Sequence, residues 1–416
     1  MKRVAITGLG AITPLGNSVH QFWNNILKGK SGIAPITKFD ASKFKTTFAG
    51  EVKGFNAEDY LEKKEIRKYD LFTQYAIAAT DEAIQDAGLD FNVISKEERY
   101  EVGVIWASGN GGIGTFEEQL EEFYKGDGTP RFNPYFIPKM IVDIAAGVIS
   151  IRNGLHGPNY ATVSACASSN TAIISAFDTI RLGKAKIMIA GGSEAAITKA
   201  SIGGFSASQA LSKRNDEPKR ASRPFDANRD GFVAGEGAGA LILEDWDHAV
   251  ARGAKIYAEI VGGGMAADAY HLTATPADGL GAFLGMKKAL DDAGLSPSDI
   301  DYINTHATST PLGDISELQA IKTLFDDNDV AISATKSMTG HLLGAAGAIE
   351  SIITVLAIQN DIVPPTINLE NPDPNLPGGL NIVAGEAMPK KIKYALNNTF
   401  GFGGHTASAI FKKAEL

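Results

Sequence analysis

The chain holds a single cysteine, Cys166, among its 416 residues. It lies in Val163-Ser-Ala-Cys166-Ala-Ser-Ser-Asn170, where a β-run passes into a helical pattern. A helix start offers free N–H groups and the positive end of the helix dipole, which lower a thiol from its usual pKa near ~8.5. The junction therefore predicts a thiolate nucleophile, the alternative being a buried cysteine that serves as a small hydrophobe. Two of the seven histidines stand at similar junctions. His306 follows a β-run in Asn304-Thr-His306-Ala-Thr-Ser-Thr-Pro311, and His341 closes Lys336-Ser-Met-Thr-Gly-His341 ahead of a helix rich in small residues. Strand ends and helix starts are where α/β proteins gather their chemistry.

Glu350 interrupts the apolar face Ile349–Leu356. Buried alone, its carboxylate would cost roughly several kcal/mol, so a Lys336–Glu350 pair beneath the site is expected unless Glu350 faces solvent. Gly401-Phe402-Gly403-Gly404 follows a β-run and reads either as a hairpin turn or as backbone able to approach a substrate closely. A bulky ring among glycines makes Phe402 a candidate gate. Gly109-Asn-Gly111-Gly-Ile-Gly114 fits a dinucleotide fingerprint in form, but no acidic strand end follows about 20 residues later. No P-loop, H-E-x-x-H or G-x-S-x-G motif occurs, and one cysteine leaves no cluster for a metal.

Short β-branched runs alternate with longer helical patterns, which predicts α/β layers. Expected strands cover 3–7, 101–107, 160–164, 186–190, 239–243, 255–262, 302–305, 330–333, 391–397 and 406–411. Strand 160–164 leads through Cys166 into a helix of small residues first, and strand 330–333 leads through Lys336 and His341 into another. This echo predicts a duplication, with halves 1–250 and 251–416. A net charge of −9 argues against nucleic acid as partner. No stretch reads as a membrane span, no signal peptide precedes the first strand, and the lone cysteine fits a reducing cytoplasm.

Taken together, these residues resemble the β-ketoacyl-[acyl-carrier-protein] synthases, above all the elongating type II enzymes. The resemblance rests on Val4-Ala-Ile-Thr-Gly-Leu-Gly10, Ser164-Ala-Cys166-Ala, Ala221-Ser-Arg-Pro-Phe-Asp226, Arg229-Asp-Gly231-Phe, Asp268-Ala-Tyr-His271, Lys336–His341 and Gly401–Gly404. It spans the chain and implies a thiolase-like fold, two α/β halves in five αβαβα layers, usually as a homodimer. It implies that Cys166 takes an acyl chain from an acyl-carrier protein and that His306 and His341 hold the malonyl thioester oxygen. Backbone N–H groups of Cys166 and Phe402 would form an oxyanion hole, with Lys336 and Glu350 tuning the field. Thr308, Thr310, Thr273, Asn110 and Phe400 are expected to bind substrate, and Lys64, Arg67 and Lys68 to dock the acidic carrier. No metal or resident cofactor is implied, because substrates travel on the carrier's phosphopantetheine arm.

The chain departs from the family pattern at Ala307, Asn110, Gln209 and His405. The implied activity is decarboxylative condensation in fatty-acid elongation. Asn110 and His405 leave open a dedicated polyketide, polyene or pigment pathway with the same chemistry. A non-catalytic acyl- or partner-binding subunit is the third reading, and retention of Cys166, His306 and His341 weighs against it.

Overall fold

The computed structural model describes residues 1–326 and 328–415. All ten expected runs form strands of one sheet, and a short eleventh joins them. In chain order these are β1 (Val4–Ile12), β2 (Val102–Ala107), β3 (Asn159–Thr162), β4 (Ile187–Glu194), β5 (Gly237–Asp245) and β6 (Ala258–Ala267). The rest are β7 (Tyr302–Asn304), β8 (Ala331–Ser333), β9 (Asn381–Ile382), β10 (Tyr394–Gly401) and β11 (His405–Lys413). The order across the sheet is β9-β8-β7-β10-β11-β6-β1-β5-β4-β2-β3.

That order contains the same pattern twice. In residues 4–245 the first strand pairs with the last, the last with the penultimate, then the second, then the third. Residues 258–413 repeat this as β6-β11-β10-β7-β8, with β9 added at the edge. In both, the first two pairings are antiparallel and the next two parallel. The two sets join through Val4↔Ile260, Ala5↔Glu259 and Ile6↔Ala258. Strands β1 and β5 are buried at every position, which explains their apolar runs without alternation.

Five long helices complete the layers: α1 (Leu71–Asp86), α2 (Ser168–Arg181), α3 (Leu280–Ala293), α4 (Pro311–Phe325) and α5 (Ala346–Asn360). Helices α2 and α5 lie between the two strand sets and touch both. Helix α1 covers the outer face of the first set, while α3 and α4 cover that of the second. The result is the αβαβα arrangement. Residues 346–358 of α5 are all buried. Leu343–Asn360 is long and apolar enough to cross a membrane by length and composition, contrary to the sequence reading, but 89% of it is buried inside the protein.

Small residues let α2 and α5 meet. A Cβ on Gly347 would lie 2.8 Å from the Asn170 nitrogen and 3.1 Å from Ser169 Oγ. The Ala348 N–H donates to Ser169 Oγ at 2.9 Å. Asn170 Nδ2 donates to the carbonyls of Asn397 (3.1 Å) and Ala407 (2.9 Å), and Asn397 Nδ2 donates to the Gly347 carbonyl (3.0 Å) and Ser351 Oγ (2.9 Å). The central layer is thereby tied to β10 and β11.

A side chain at 347 has nowhere to go. Gly347→Val is expected to destabilise the fold by about 1–3 kcal/mol through overpacking. Gly147→Ala, in the helix Ile144–Asn153 with open space around its Cβ, should be neutral or stabilise by up to about 1 kcal/mol. Denaturant titration of both variants checks the contrast.

Candidate active site

Strand β3 ends at Thr162, and the chain turns sharply before α2. Ala165 adopts φ +49°, a left-handed conformation that costs a residue with a Cβ about 1–2 kcal/mol. The turn is held by Ser168, whose Oγ accepts from the Ser164 N–H (2.8 Å) and donates to the Ala165 carbonyl (2.6 Å). Thr162 Oγ1 donates to the Ser168 carbonyl at 2.9 Å. Cys166 thus stands one residue before the N-cap, Ala167.

The thiol state differs from the sequence expectation. Cys166 is half-buried at a cavity floor, and burial pushes its thiol up to about 12, against the nearby Lys336 charge, with Glu194 and Glu350 raising it further. The resting group is a protonated thiol, because loss of hydration outweighs the neighbouring helix start.

His306 and His341 come together beside it. Their rings lie 5.3 Å apart, nearly perpendicular, with His306 against Phe400 (5.5 Å) and His341 against Phe232 (5.4 Å). Burial holds both imidazoles well below their ordinary range; Lys336 lowers both, and His341 further lowers His306. Both are neutral at pH 7. Lys336 and Glu350 form a buried ion pair beneath the rings, and burial raises the Glu350 carboxyl to about 7.

Main-chain anchors set the histidine positions. The His341 N–H donates to the Val233 carbonyl (2.7 Å), and its carbonyl accepts from the Gly235 N–H (2.8 Å). The N–H groups of His306 (2.9 Å) and Ala307 (2.8 Å) donate to buried Glu317, which also accepts from Asn398 Nδ2 (3.1 Å). Sequence reading passed over Glu317, although the signal was there. Asp314 and Glu317 fall on the same helical stripe as Leu318, Ile321 and Phe325, as Glu350 does on its own apolar face.

Glu194, also passed over, ends a wholly buried strand and carried no such signal. Its carboxylate accepts from Ser108 Oγ (3.0 Å) and from the N–H groups of Gly109 (2.9 Å), Asn110 (3.0 Å) and Gly344 (2.9 Å). The amides of Gly109 and Asn110 in the fingerprint-like loop are therefore occupied by an internal carboxylate, in accord with the sequence argument against a nucleotide site there. The Ala221–Asp226 and Arg229–Gly231 motifs act as scaffold. Arg229 donates to the carbonyls of Thr310 (3.0 Å) and Pro311 (2.6 Å), and the Arg223 N–H donates to Ser309 Oγ (3.0 Å).

A cavity of about 400 Å³ is lined by Cys166, His306, His341, Phe400 and Phe402, with Thr273, Thr308 and Thr310 on its walls. Gln209, Ala307 and His405 line it as well. The Thr308 and Thr310 hydroxyls are 3.2 Å apart. A Cβ on Gly401 would lie 3.0 Å from the Cys166 nitrogen and 2.6 Å from the Ser164 carbonyl oxygen, so only glycine lets this loop come so close to Cys166. Asn110 does not line the cavity of the single chain, because its loop is drawn onto Glu194. Lys64, Arg67 and Lys68 lie outside it, on and just after the exposed turn Lys63–Ile66, where Lys64 pairs with Glu62 at 2.7 Å.

Comparison with known proteins agrees with this arrangement. Residues 1–249 match the family described as Beta-ketoacyl synthase, N-terminal domain, and residues 257–370 match Beta-ketoacyl synthase, C-terminal domain. The chain is 49% identical over 414 residues to 3-oxoacyl-[acyl-carrier-protein] synthase 2 of Synechocystis sp., covering 99% of this chain and 98% of the relative. It is 48% identical over 416 residues to the protein of that name from Vibrio cholerae, covering 99% of each. A beta-ketoacyl synthase from Burkholderia phymatum superposes over the full length of both chains with a TM-score of 0.92 at 35% identity. So does a type II PKS ketosynthase in complex with its acyl-carrier protein, at 0.90 and 36%. With its cysteine and two neutral histidines converging on one cavity, the chain belongs to the β-ketoacyl synthase family.

Proposed function

We propose that the chain is a 3-oxoacyl-[acyl-carrier-protein] synthase of fatty-acid elongation. The observation that carries this reading is the convergence of Cys166, His306 and His341 on one cavity floor, from three distant parts of the sequence. Cys166 sulfur displaces the carrier thiol from an acyl thioester and keeps the acyl group; the cysteine proton leaves with the carrier thiol. The malonyl thioester then binds with its carbonyl oxygen at the two imidazoles. Neutral rings donate N–H to that oxygen, and negative charge gathers there as CO2 leaves. The resulting carbanion attacks the Cys166 acyl carbon, and the sulfur leaves and regains a proton. The products are a 3-oxoacyl thioester and CO2.

The N–H groups of Cys166 and Phe402 would stabilise each tetrahedral oxyanion, a role supported by the close approach of Gly401 to Cys166. Lys336 supplies positive charge beneath the histidines while Glu350 keeps the buried site near neutrality. Phe402 and Phe400 bound the acyl chamber, and Thr273, Thr308 and Thr310 offer polar contacts to a pantetheine arm. The acyl-carrier protein is the partner this reading requires, and Lys64, Arg67 and Lys68 are the proposed docking patch. The reaction needs no resident cofactor, and we place it in the cytoplasm. Fatty-acid elongation is favoured over a specialised pathway because identity to the synthase 2 relatives is 48–50%, against 36% for the polyketide ketosynthase.

A homodimer is part of the same reading. Strand β3 is a sheet edge with Tyr160 43% and the following Val163 60% exposed, and Phe116, Phe132, Ile137 and Ile151 are exposed as well. An open edge with this much apolar surface calls for a partner.

Cys166→Ala should abolish acyl uptake. His306→Ala and His341→Ala should still load Cys166 yet form product about 10²–10³-fold more slowly. Mass spectrometry of the Cys166 peptide and assay of the 3-oxoacyl product separate the two steps. Because the thiol is held at about 12, alkylation of Cys166 by iodoacetamide should rise about tenfold per pH unit from 7 to 10 without a plateau near 8.5. Stopped alkylation time courses read this directly. Val163→Asp should convert the dimer to monomer in sedimentation velocity.

A further inference from the structure

Lys38 and Glu236 lie outside the cavity, yet they anchor the strip of chain that carries His341. Glu236 is fully buried, and its carboxylate accepts from Lys38 Nζ (2.5 Å), the Val52 N–H (3.0 Å) and Tyr75 Oη (3.3 Å). Its own N–H donates to the Gly50 carbonyl at 3.1 Å, and the Gly50 N–H donates to the Ala234 carbonyl at 2.8 Å. One residue earlier, the Gly235 N–H holds the His341 carbonyl; two residues before that, the Val233 carbonyl holds the His341 N–H. Phe232, at the start of the strip, sets its ring edge-to-face with the His341 imidazole. Both polar groups of the His341 main chain are thus fixed to the five-residue strip Phe232–Glu236, whose far end is held by Gly50 and by the pair of buried Glu236 with the partly exposed Lys38.

Residues 34–52 are themselves braced at that end. Glu51 accepts from the N–H groups of Thr37 (3.0 Å) and Lys38 (3.2 Å) and from Thr37 Oγ1 (2.7 Å), and the Ile36 N–H donates to the Thr47 carbonyl (2.9 Å). Lys38 therefore presents its ammonium from a fixed backbone. Releasing the Lys38 ammonium would leave the buried Glu236 charge with the neutral donors Val52 N–H and Tyr75 Oη, which makes the pair a stiff anchor. The His306 main chain hangs instead on Glu317.

We propose that the Lys38–Glu236 pair positions His341 for the carbon–carbon bond-forming half of the reaction and leaves the loading of Cys166 untouched. This rests on the condensing reading given above. Misplacing a reacting group by ~1 Å through a distant change can cost as much as ~10²-fold in rate. Lys38 and Glu236 are positioning residues, so their removal should separate two steps that an unspecific loss of structure would slow together.

The test compares wild type, Lys38→Arg, Lys38→Met and the double variant Lys38→Met/Glu236→Gln. The double variant removes both charges at similar volume and covers the case in which Lys38→Met alone does not fold. Acyl loading is read from the mass of the Cys166 peptide. Condensation is read as 3-oxoacyl product formed when pre-loaded protein meets malonyl-carrier protein. The expected result is loading within about twofold of wild type, condensation lowered about tenfold or more in the double variant, and recovery in Lys38→Arg. Unchanged condensation in the folded double variant overturns the proposal, and so does a fall in loading by the same factor as condensation. A wild-type protein that loads acyl groups but forms no new carbon–carbon bond overturns the condensing reading itself, and this proposal with it.

Discussion

The site depends on how closely two central helices can approach. Gly347 stands over Asn170 with no room for a methyl group, and the Ala348 N–H reaches Ser169 across the gap. That contact brings the start of α2, with Cys166 just ahead of it, next to the start of α5, with His341 just ahead of that. Larger residues at either start would separate Cys166 from His341. The small-residue starts are therefore the condition for chemistry between the halves, and the asparagines at 170 and 397 fix the helices to the strands by satisfying carbonyls that the layers would otherwise bury unpaired.

Burial then sets the protonation states. The same dry interior keeps the thiol protonated and both imidazoles neutral, and raises Glu317 and Glu350 to about 7. Lys336 would be intolerable there without Glu350, and Glu350 without Lys336. A site built this way presents imidazole N–H groups to the cavity above a lysine charge that is paired with a carboxylate.

Much of this was legible in the sequence, for reasons that differ by residue. Cys166, His306 and His341 stood out because polar, reactive side chains at strand ends and helix starts have few structural uses. Glu350 stood out because it broke an apolar stripe. Glu317 broke one too, and the same test applied to α4 finds it. Glu194 could not be found so, since it ends a strand buried on both faces where no period marks it. For the thiol, local position favours a thiolate, whereas burial by remote segments favours the protonated form. The ten main strands followed from composition. Two-residue strands such as Ala34–Pro35, Phe48–Ala49 and Asn381–Ile382 are too short to show a period, and they exist only through their partners.

The repeated strand order also explains why two buried carboxylates were needed. In each half, the loop after the second strand carries main-chain N–H groups pointing away from the sheet ladder, toward the centre of the molecule. In the first half those amides belong to residues 109–110 and are met by Glu194, from the penultimate strand. In the second half they belong to residues 306–307 and are met by Glu317, from the following helix. The need is the same because the topology is the same, and the residue that answers it comes from a different element each time. The outcome differs as well. Glu194 also takes the Gly344 N–H and so ties its loop to the turn that precedes α5. Glu317 holds only its own loop and Asn398, which leaves the His306 side chain free to face the cavity. One scaffold, used twice, thus ties a loop to the central helix layer in one half and leaves an imidazole facing the cavity in the other.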